Sequence, residues 1–496
     1  MTKLLVANRG EIALRIMQSA REMGIKTVAV FSEADRNALH VRFADEAVFL
    51  GPAPSAQSYL LGEKIIEACR QTGADAIHPG YGFLSENAAF AESVKKAGLI
   101  FIGPSPEAMR TMGSKIGAKQ AVGKFGVPMV PGIDYAISDV KEAKKVATEI
   151  GYPVLIKASA GGGGKGMRVV NKPEELEEQM QRAQSEAQSS FGDSSVFIEK
   201  FVTNPRHIEI QILGDSHGNV IHLFERECSI QRRHQKLVEE APSSILTEEV
   251  RKKMGEAAVN VGKACNYTGA GTVEFLVDDS LNFYFLEMNT RLQVEHPVTE
   301  LITGLDLVKE QIRIARGEKL SFRQSDLKIH GHAIELRVCA EDPSNNFLPD
   351  TGTLTTYQLP PGIGIRVDTG FEEGMTVPVF YDSMLAKLIV WAGTRNEAIE
   401  RMKRAIANYK VTGVKTTLPF GEWVMNTKEF TEGNFNTHFI DAHFKPEMLN
   451  AETDEEESLV AALIAAQLLN SPIRPTESKN NSMKQSNWKK NRVSDQ

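Results

Sequence analysis

Two strand-like segments near residues 272–289 each place a glutamate among apolar neighbours. Glu274 lies in TVEFLV, Glu287 lies in FYFLEMN, and Asn289 follows Glu287 on the same face of an extended strand. Buried carboxylates are costly unless they are paired or bound to a cation. Carboxylate and amide oxygens suit a magnesium or manganese ion that bridges nucleotide phosphates. We therefore predict a metal site at Glu274, Glu287 and Asn289, with two surface glutamates at strand edges as the alternative.

A polar stretch directly follows these strands. The segment RLQVEH contains Arg291, Gln293, Val294, Glu295 and His296, and it is typical of neither a helix nor a strand. Its density of hydrogen-bond donors and acceptors predicts a catalytic loop.

A basic segment, ERECSIQRRHQKLVEEAP, contrasts with the acidic balance of the chain. It contains Arg226, Arg232, Arg233, His234 and Lys236. Composition alone explains it equally well as a solvated charged loop. If it faces the predicted metal site, it provides the fixed positive groups that a small anion requires.

Four consecutive glycines stand out in KASAGGGGKGMRVV, residues 157–170. Gly161, Gly163 and Gly166 satisfy GxGxxG, but the strand MRVV follows where a dinucleotide-binding turn needs a helix. A P-loop is also excluded, because glycine follows Lys165 where Ser or Thr should stand. We predict a mobile glycine hairpin that closes over phosphates, with Lys157 directed at the same phosphates. A flexible linker after a surface lysine is the alternative.

Composition and patterning indicate the elements that must position these residues. The chain has 496 residues, 42% of them hydrophobic, and a formal net charge of -7, so we expect several domains and neither nucleic acid nor a membrane as partner. The four cysteines lack the spacing of disulfide or zinc pairs. The start resembles no signal peptide, and no apolar run of about 20 residues occurs, which predicts a cytoplasmic protein.

Strands and helices alternate from Lys3 to about residue 103, which predicts a parallel, doubly wound sheet. Within it we expect helices near 58–72 and 87–97. A helix-rich connection at 109–125 leads to a second part with the glycine stretch and a long helix from Pro173 to about Ser189. A third, strand-rich part runs from Arg206 to about Lys445. Beyond it, the composition predicts a disordered end that contains one short apolar helix, SLVAALIAAQLL, docked on this chain or on a partner.

Several long strings resemble the biotin carboxylase family of the ATP-grasp superfamily, in order from Lys3 to His443: VANRGEIA, HPGYGFLSEN, KASAGGGGKGMR, EKFVTNPRHIEIQILGD, ERECSIQRRHQKLVEEAPS, EMNTRLQVEHPVTE and FYDSMLAKLI. Ala160 and Lys165 stand where many relatives carry Gly and Arg. The resemblance implies a multidomain α/β and α+β fold. We expect an N-terminal domain at 1–113, an ATP-grasp domain at 114–325 with a glycine-rich lid at about 130–203, a C-terminal mixed α+β domain at 326–446, and a tail at 447–496.

The implied reaction has two stages. Bicarbonate attacks the terminal phosphate of MgATP to give carboxyphosphate and ADP, and the carboxyl group then passes to N1 of biotin. The resemblance implies catalytic roles for Lys236, Arg291, Glu295 and Arg337. Glu295 is the base, with its pKa lowered by Arg291, and Arg337 stabilises the biotin enolate.

The remaining site residues also follow from the resemblance. The ATP contacts are Lys115, Lys157, Gly163, Gly164, Lys165, Gly166, Met167, Glu199, Lys200, Phe201, Val202, His207, Gln231 and His234. The metal ligands are Glu274, Glu287 and Asn289, and the bicarbonate or biotin contacts are Tyr81, Lys236, Arg291, Gln293, Val294, Glu295 and Arg337.

The resemblance also implies partners. Lys484, in SMKQS, lacks the second methionine and flanking strands of a biotin attachment site, so we expect biotin on a separate carrier protein, with a carboxyltransferase as a further partner and a homodimer as the assembly. Acetyl-CoA, and hence fatty acid biosynthesis, is the expected acceptor; pyruvate, propionyl-CoA and methylcrotonyl-CoA are alternatives. Two rival functions are another ATP-grasp ligase, which joins a carboxylate to an amine, and a non-catalytic nucleotide-binding or scaffolding protein.

Overall fold

The computed structural model describes residues 1–133, 135–159, 166–449 and 455–470. Residues Met1–Leu449 form one compact unit, and the described residues 455–470 belong to a second. None of the described helices is both long enough and apolar enough to cross a membrane.

The first part of the chain forms a five-stranded parallel sheet in the order β3-β2-β1-β4-β5. The order reverses between β1 and β4, which confirms the predicted doubly wound sheet. Its elements are β1 (Lys3–Val6), α1 (Gly10–Glu22), β2 (Lys26–Ser32), α2 (Leu39–Phe43), β3 (Glu46–Gly51), α3 (Gly62–Thr72), β4 (Ala76–His78), α4 (Ala88–Lys96) and β5 (Ile100–Phe101).

Two details of this sheet differ from the sequence predictions. The helix expected near 58–72 begins only at Gly62, because residues 55–57 form a 3-10 turn and Ser58 has non-helical backbone angles. The edge strand β3 is absent from the predictions, although it contains the short apolar run AVFL; most of its side chains are not buried.

The reversal point of the sheet joins the loops that follow β1 and β4. The Asn8 side-chain amide donates hydrogen bonds to the carbonyl oxygens of Pro79 and Tyr81, at 2.8 and 2.7 Å. In doubly wound sheets this position, at the carboxyl ends of the strands, is where ligands bind. Asn8 therefore fixes the backbone of Tyr81 at that position.

The second part contains a three-stranded antiparallel sheet in the order β7-β6-β8, called the small sheet below. The helices at 140–150 and 176–191 pack with this sheet on a separate apolar core that includes Ala143, Ile156, Met180 and Ile198. The predicted long helix begins after a 3-10 turn at Pro173–Glu175. The elements are α5 (Pro106–Gly113), α6 (Lys115–Gly123), α7 (Val140–Ile150), β6 (Val154–Ala158), β7 (Arg168–Val170), α8 (Leu176–Phe191) and β8 (Val196–Lys200).

The third part is built on one eight-stranded antiparallel sheet in the order β13-β12-β9-β10-β11-β14-β19-β18, called the large sheet below. Its first five strands precede the domain boundary expected at 325/326, and its last three follow it. The elements up to this boundary are β9 (Arg206–Gly214), β10 (Val220–Arg232), β11 (Gln235–Ala241), α9 (Glu248–Ala264), β12 (Gly269–Val277), β13 (Phe283–Asn289), α10 (His296–Thr303) and α11 (Leu307–Ala315).

The remaining elements complete the large sheet and cover it. A core that includes Leu336, Leu388, Met402 and Phe420 joins the strands to helices. The elements are β14 (His332–Cys339), β15 (Glu341–Asp342), β16 (Leu348–Pro349), β17 (Thr356–Gln358), β18 (Ile365–Thr369), β19 (Met384–Ala392), α12 (Arg395–Asn408), β20 (Lys410–Thr412), α13 (Leu418–Asn426), α14 (Lys428–Thr431) and α15 (Phe439–His443).

The short apolar helix predicted near the end of the chain is confirmed as α16 (Glu455–Asn470). Leu459, Val460, Leu463 and Ile464 are exposed on it. The disorder predicted for the chain end, and Lys484, lie outside the described residues.

Candidate active site

A cavity of about 650 Å³ is lined by the small sheet on one side and the large sheet on the other. Most of the sequence-predicted site residues line it: Lys115, Lys157, Met167, Glu199, Lys200, Phe201, Val202, His207, Gln231, His234, Lys236, Glu274, Glu287, Asn289, Arg291, Gln293, Val294, Glu295 and Arg337. Residues from distant parts of the sequence therefore meet in one cleft.

The other predicted site residues lie elsewhere. Tyr81 is at the reversal point of the parallel sheet, where its hydroxyl donates to Glu11, and it is not among the residues that line the cavity. Gly166 precedes β7 and has a φ of 72°, and a Cβ there would lie 2.7 Å from that of Ala158. Gly163, Gly164 and Lys165 lie outside the described residues.

The predicted metal ligands are neighbours on β12 and β13. Glu274 is directly opposite Glu287, and Thr272 is opposite Asn289. Glu274 is buried as expected, but the Glu287 side chain is exposed to the cleft, because only every second residue of β13 faces the core. Asn289 Nδ2 donates to Glu274 Oε1 at 2.9 Å.

The charges at these positions fit a cation. Loss of surrounding water and the nearby Glu274 carboxylate raise the pKa of Glu287. Two adjacent carboxylates repel each other unless a positive charge lies between them. Their oxygens, with the Asn289 amide oxygen, form a donor set of the kind magnesium prefers.

Lys236 joins three carboxylates at the centre of the cleft. Its Nζ lies 2.6 Å from Glu209 Oε2, 2.7 Å from Glu295 Oε1 and 3.1 Å from Glu274 Oε1. Burial lowers the pKa of Lys236, but the three carboxylates outweigh this effect and raise it well above its usual value. Lys236 therefore remains a cation at every physiological pH.

Glu295 lies between Lys236 and Arg337, whose Nη2 donates to Glu295 Oε2 at 3.0 Å. Burial raises the pKa of Glu295, but Lys236, Arg337 and Arg226 outweigh burial and lower it. Glu295 is therefore an ionised carboxylate at the wall of the cleft, able to accept a proton once these cations move or find other partners.

Arg291 makes its direct contacts with residues other than Glu295. Its Nε pairs with Glu86 Oε2 at 2.9 Å and its Nη2 donates to Asn289 Oδ1 at 3.1 Å. Lys236, Arg337 and Arg226 are the cations that chiefly lower the pKa of Glu295. The attraction between Arg291 and Glu295 acts in the same direction, as expected from the sequence. The expected loop itself is confirmed, since the segment between β13 and α10 is neither helix nor strand.

Behind the cleft floor, Arg226 is completely buried among polar side chains. Its guanidinium donates to Glu209, and also to Gln211, Thr272, Gln293 and Thr299 at 2.6–3.0 Å. A buried charge is stable only when it is paired and hydrogen-bonded in this way. Arg226 therefore fixes Glu209 and Gln293 in position from below.

The residues of the basic segment 225–242 do not all face the cleft. Arg233 and His234 line the cleft and form the tight turn between β10 and β11, with φ values of 49° and 67°. Such positive values are unfavourable for residues other than glycine and often occur at functional sites. Arg232 instead lies over the ring of Phe347, outside the cavity lining.

On the small-sheet side, Lys157 and Lys119 both reach Glu199. Lys157 Nζ lies 2.6 Å from Glu199 Oε2, and Lys119 pairs with the other oxygen. Burial first, and then Lys119 and Lys115, lower the pKa of Lys157 to about 7. Lys115, Lys119 and Lys157 thus face the same part of the cleft. A multiply charged anion bound there would stabilise their charged forms.

Two residues of this site are missing from the sequence predictions. Lys119 lies on α6, four residues after Lys115, so the two share one helix face, and this spacing was the available signal. Glu209 is an acidic residue among apolar ones in HIEIQILGD. The same rule that identified Glu274 could have found it.

Comparison with protein families matches three consecutive models. They are described as the biotin carboxylase N-terminal domain at residues 1–109, the carbamoyl-phosphate synthase L chain ATP binding domain at 114–323, and the biotin carboxylase C-terminal domain at 335–442.

Named relatives are similar over most of the chain. A pyruvate carboxylase subunit of Methanothermobacter thermautotrophicus is 56% identical over 443 residues, covering 89% of this chain and 90% of that protein. Biotin carboxylase 1 of Bacillus subtilis is 53% identical over 442 residues, covering 89% and 98%. The chain spans 65% of the methylcrotonoyl-CoA carboxylase alpha subunit of Rattus norvegicus, at 51% identity and with 93% of this chain covered.

Solved structures are similar too. A biotin carboxylase complex from Campylobacter jejuni has a TM-score of 0.86 and 49% identity, covering 89% of this chain and 99% of that one. The biotin carboxylase domain dimer of Hydrogenobacter thermophilus 2-oxoglutarate carboxylase, solved with MgADP, ADP and bicarbonate, has a TM-score of 0.85 and 49% identity, covering 90% and 98%.

Proposed function

Since the chain belongs to the biotin carboxylase family of ATP-grasp ligases, we propose that its cleft carboxylates biotin, borne by a separate carrier protein, with bicarbonate and ATP. One observation supports this most: Glu295, Lys236 and Arg337 converge beside the Glu274–Glu287 pair in a single cavity. A base, an anion site and a metal site are thus adjacent.

In the first stage, the triphosphate lies against the three lysines of the small-sheet side. The nucleotide would contact the cavity-lining residues Lys115, Lys157, Met167, the strand end at Glu199–Val202, His207, Gln231 and His234. Glu274, Glu287 and Asn289 would hold magnesium, which neutralises charge on the phosphates. Nucleotide and magnesium in the Hydrogenobacter structure support this proposal.

Bicarbonate lies between Lys236, Arg291 and the Val294 backbone, with Gln293 beside it. Glu295 accepts the O–H proton of bicarbonate, and the resulting dianion attacks the terminal phosphorus to give carboxyphosphate and ADP. Lys236 and Arg291 hold the attacking oxygen close to the phosphorus, and this positioning increases the rate of the phosphoryl transfer. The region of the small sheet, which contains part of the predicted lid, would close over the phosphates and exclude water from carboxyphosphate.

In the second stage, carboxyphosphate breaks down to CO2 and phosphate, and the phosphate removes the N1 proton of biotin. Arg337 stabilises the negative charge that develops on the ureido oxygen, because its guanidinium lines the same cavity as Glu295. Tyr81, fixed by Asn8 at the reversal point of the parallel sheet, contacts biotin.

The chain works with a carrier protein and a carboxyltransferase, in a dimer like that named for the Hydrogenobacter domain. We propose acetyl-CoA as the final acceptor, supported by the similarity to a protein named only for its biotin carboxylase activity, 98% of which is covered. Pyruvate is the second candidate, favoured by the 56% identity to the pyruvate carboxylase chain of Methanothermobacter. Purification from native cells identifies the transferase and decides between them.

The direct test measures ADP release from MgATP by the purified chain. We expect bicarbonate to stimulate it and free biotin to stimulate it further, with carboxybiotin formed. Stimulation by an amino acid but not by biotin would favour a carboxylate–amine ligase. No bicarbonate dependence at all would contradict the proposal and favour a non-catalytic nucleotide-binding protein.

A further inference from the structure

Two glutamates outside the roles described above lie next to each other beneath Arg337. Glu239 on β11 and Glu335 on β14 are directly opposite in the antiparallel register, and both are completely buried. The Cβ atoms of such pairs are about 5 Å apart. Neither oxygen of Glu335, nor Oε2 of Glu239, has a hydrogen-bond partner among the described residues.

Two adjacent buried carboxylates cannot both remain charged unless each has its own cation. Arg337 donates to Glu239 through Nε at 2.7 Å, whereas no ion pair is found for Glu335 in the described chain. The charged groups that face the pair are Lys236 on β11, Arg337 on β14, Lys387 on β19 and Glu295 in the catalytic loop. Glu239 is therefore the member that carries the charge.

The titration behaviour agrees with this geometry. Burial first, against the opposing effects of nearby cations, raises the pKa of Glu335 well above its usual value. Burial also raises the pKa of Glu239, to about 7, with Arg337 acting against it and Glu295 adding to it. Near neutral pH, Glu335 is therefore protonated, whereas Glu239 is ionised in only part of the molecules.

Arg337 is thus held by two carboxylates that behave differently during the proposed reaction. Its Nη2 lies 2.6 Å from Glu239 Oε1 and 3.0 Å from Glu295 Oε2. When Glu295 takes the bicarbonate proton, its carboxylate becomes a neutral acid and its ion pair with Arg337 is lost. Glu239 is then the only charged partner of Arg337 among the described residues, at the moment when Nη2 must turn to the ureido oxygen.

Building on the proposed function, we propose that Glu239 and Glu335 form a buried acid pair in which Glu335 keeps its proton and the charged Glu239 positions Arg337 for the biotin stage. Glu239 is the anchor that keeps the guanidinium in place after Glu295 becomes neutral. Glu335 acts as an uncharged neighbour, so that the anchor carries a single negative charge. Glu239 is a positioning residue, because it acts through Arg337.

The test compares two activities of the same protein: bicarbonate-dependent ADP release without biotin, and carboxylation of free biotin. Glu239→Gln should lower biotin carboxylation about 10-fold or more relative to ADP release, because one charge-assisted hydrogen bond to Arg337 is lost. ATP would then be hydrolysed without carboxybiotin formation. An unchanged ratio of the two activities would overturn the proposal.

Glu240→Gln is the matched control. Glu240 is the next residue on β11, is equally buried, and pairs with His332 and Arg395 rather than with Arg337. Any loss of activity in this variant should affect both assays equally. A change in the ratio as large as that of Glu239→Gln would contradict the specific role of Glu239.

Glu335→Gln tests whether Glu335 is the protonated member of the pair. Gln has the same shape as a protonated glutamate and carries no charge, so both activities should stay within about threefold of wild type. A selective loss of biotin carboxylation would show that Glu335 works as a carboxylate and would overturn the assignment.

Wild-type pH dependence provides a test that requires no variant. Because the anchor needs a charged Glu239, biotin carboxylation relative to ADP release should fall as pH decreases through the Glu239 pKa of about 7. A constant ratio across about one pH unit on either side of this pKa would count against the anchor. If the wild type shows no response to bicarbonate or biotin, the proposed function has failed; if it shows both and only the ratios are unaffected, this inference alone has failed.

Discussion

The large and small sheets hold their charged residues in different ways. On the large sheet, Arg226 and Lys236 each donate hydrogen bonds to several side chains. Both donate to Glu209, which links the two groups of contacts into one network. On the small sheet, Lys157 contacts one carboxylate, Glu199, which it shares with Lys119. The small sheet also has its own apolar core, separate from that under β9 and β12.

This difference separates two tasks. A cross-linked network keeps reacting groups within the narrow limits that catalysis requires. A region with its own small core can move as a body, and its two lysines share one carboxylate, so an entering anion adds negative charge beside them. We therefore expect substitutions on the large sheet to affect the chemical step, and those on the small sheet to affect nucleotide capture.

The largest expected effect is that of Glu295→Gln. Removal of the base should lower bicarbonate-dependent ADP release about 10²–10⁴-fold, the usual contribution of a general base. Steady-state kinetics at saturating ATP measures it. Glu300→Gln on α10 serves as the control, because Glu300 pairs with Arg15 and Arg366 outside the cleft. A loss below about fivefold would assign the base role to another residue.

Glu274→Gln should have the next largest effect, a decrease of about 100-fold in MgATP turnover, because it removes both a metal ligand and a carboxylate partner of Lys236. Part of the activity should return at high magnesium or manganese concentration, and a metal titration checks this. Glu225→Gln, in another buried ion pair that involves Arg251, should show no such metal dependence.

Lys157→Met should raise the KM for ATP about 10-fold and change kcat less, in contrast to the large-sheet variants. In the wild type, Lys157 is charged below its pKa of about 7 and loses this charge as pH rises. The value of kcat/KM for ATP should therefore fall above about pH 7, and the variant should lack this part of the profile. Lys144→Met, at an exposed lysine on α7, should retain wild-type kinetics.

The smallest functional effect is expected from a pair of core substitutions. Ile198→Ala on β8 and Ile210→Ala on β9 each remove a fully buried side chain, at a local cost of about 2–5 kcal/mol. Hydrogen exchange should increase mainly within residues 137–198 for Ile198→Ala. For Ile210→Ala it should increase across the large sheet. A uniform increase in both variants would show that the two regions unfold as one unit.

Sequence patterns predicted the parallel sheet, the convergence of Glu274 and Glu287, and the loop after β13, because each depends on local spacing. An acidic residue within an apolar strand is such a signal, and it applies to Glu274 as well as to the overlooked Glu209. The pairing of Arg291 with Glu86 involves residues 205 positions apart, and only the folded chain brings them together. The edge strand β3 was also overlooked, although the apolar run AVFL was an available signal in the sequence.

The continuity of the large sheet has a consequence for how the chain can be divided. The family models end at residue 323 and resume at residue 335, yet β11 pairs with β14 across this gap. A cut there would leave two strands whose backbone donors and acceptors lack partners, and such edges attract other extended chains. The two families matched on either side of this gap are therefore not independent folding units in this chain. The smallest segment that can fold alone must contain both.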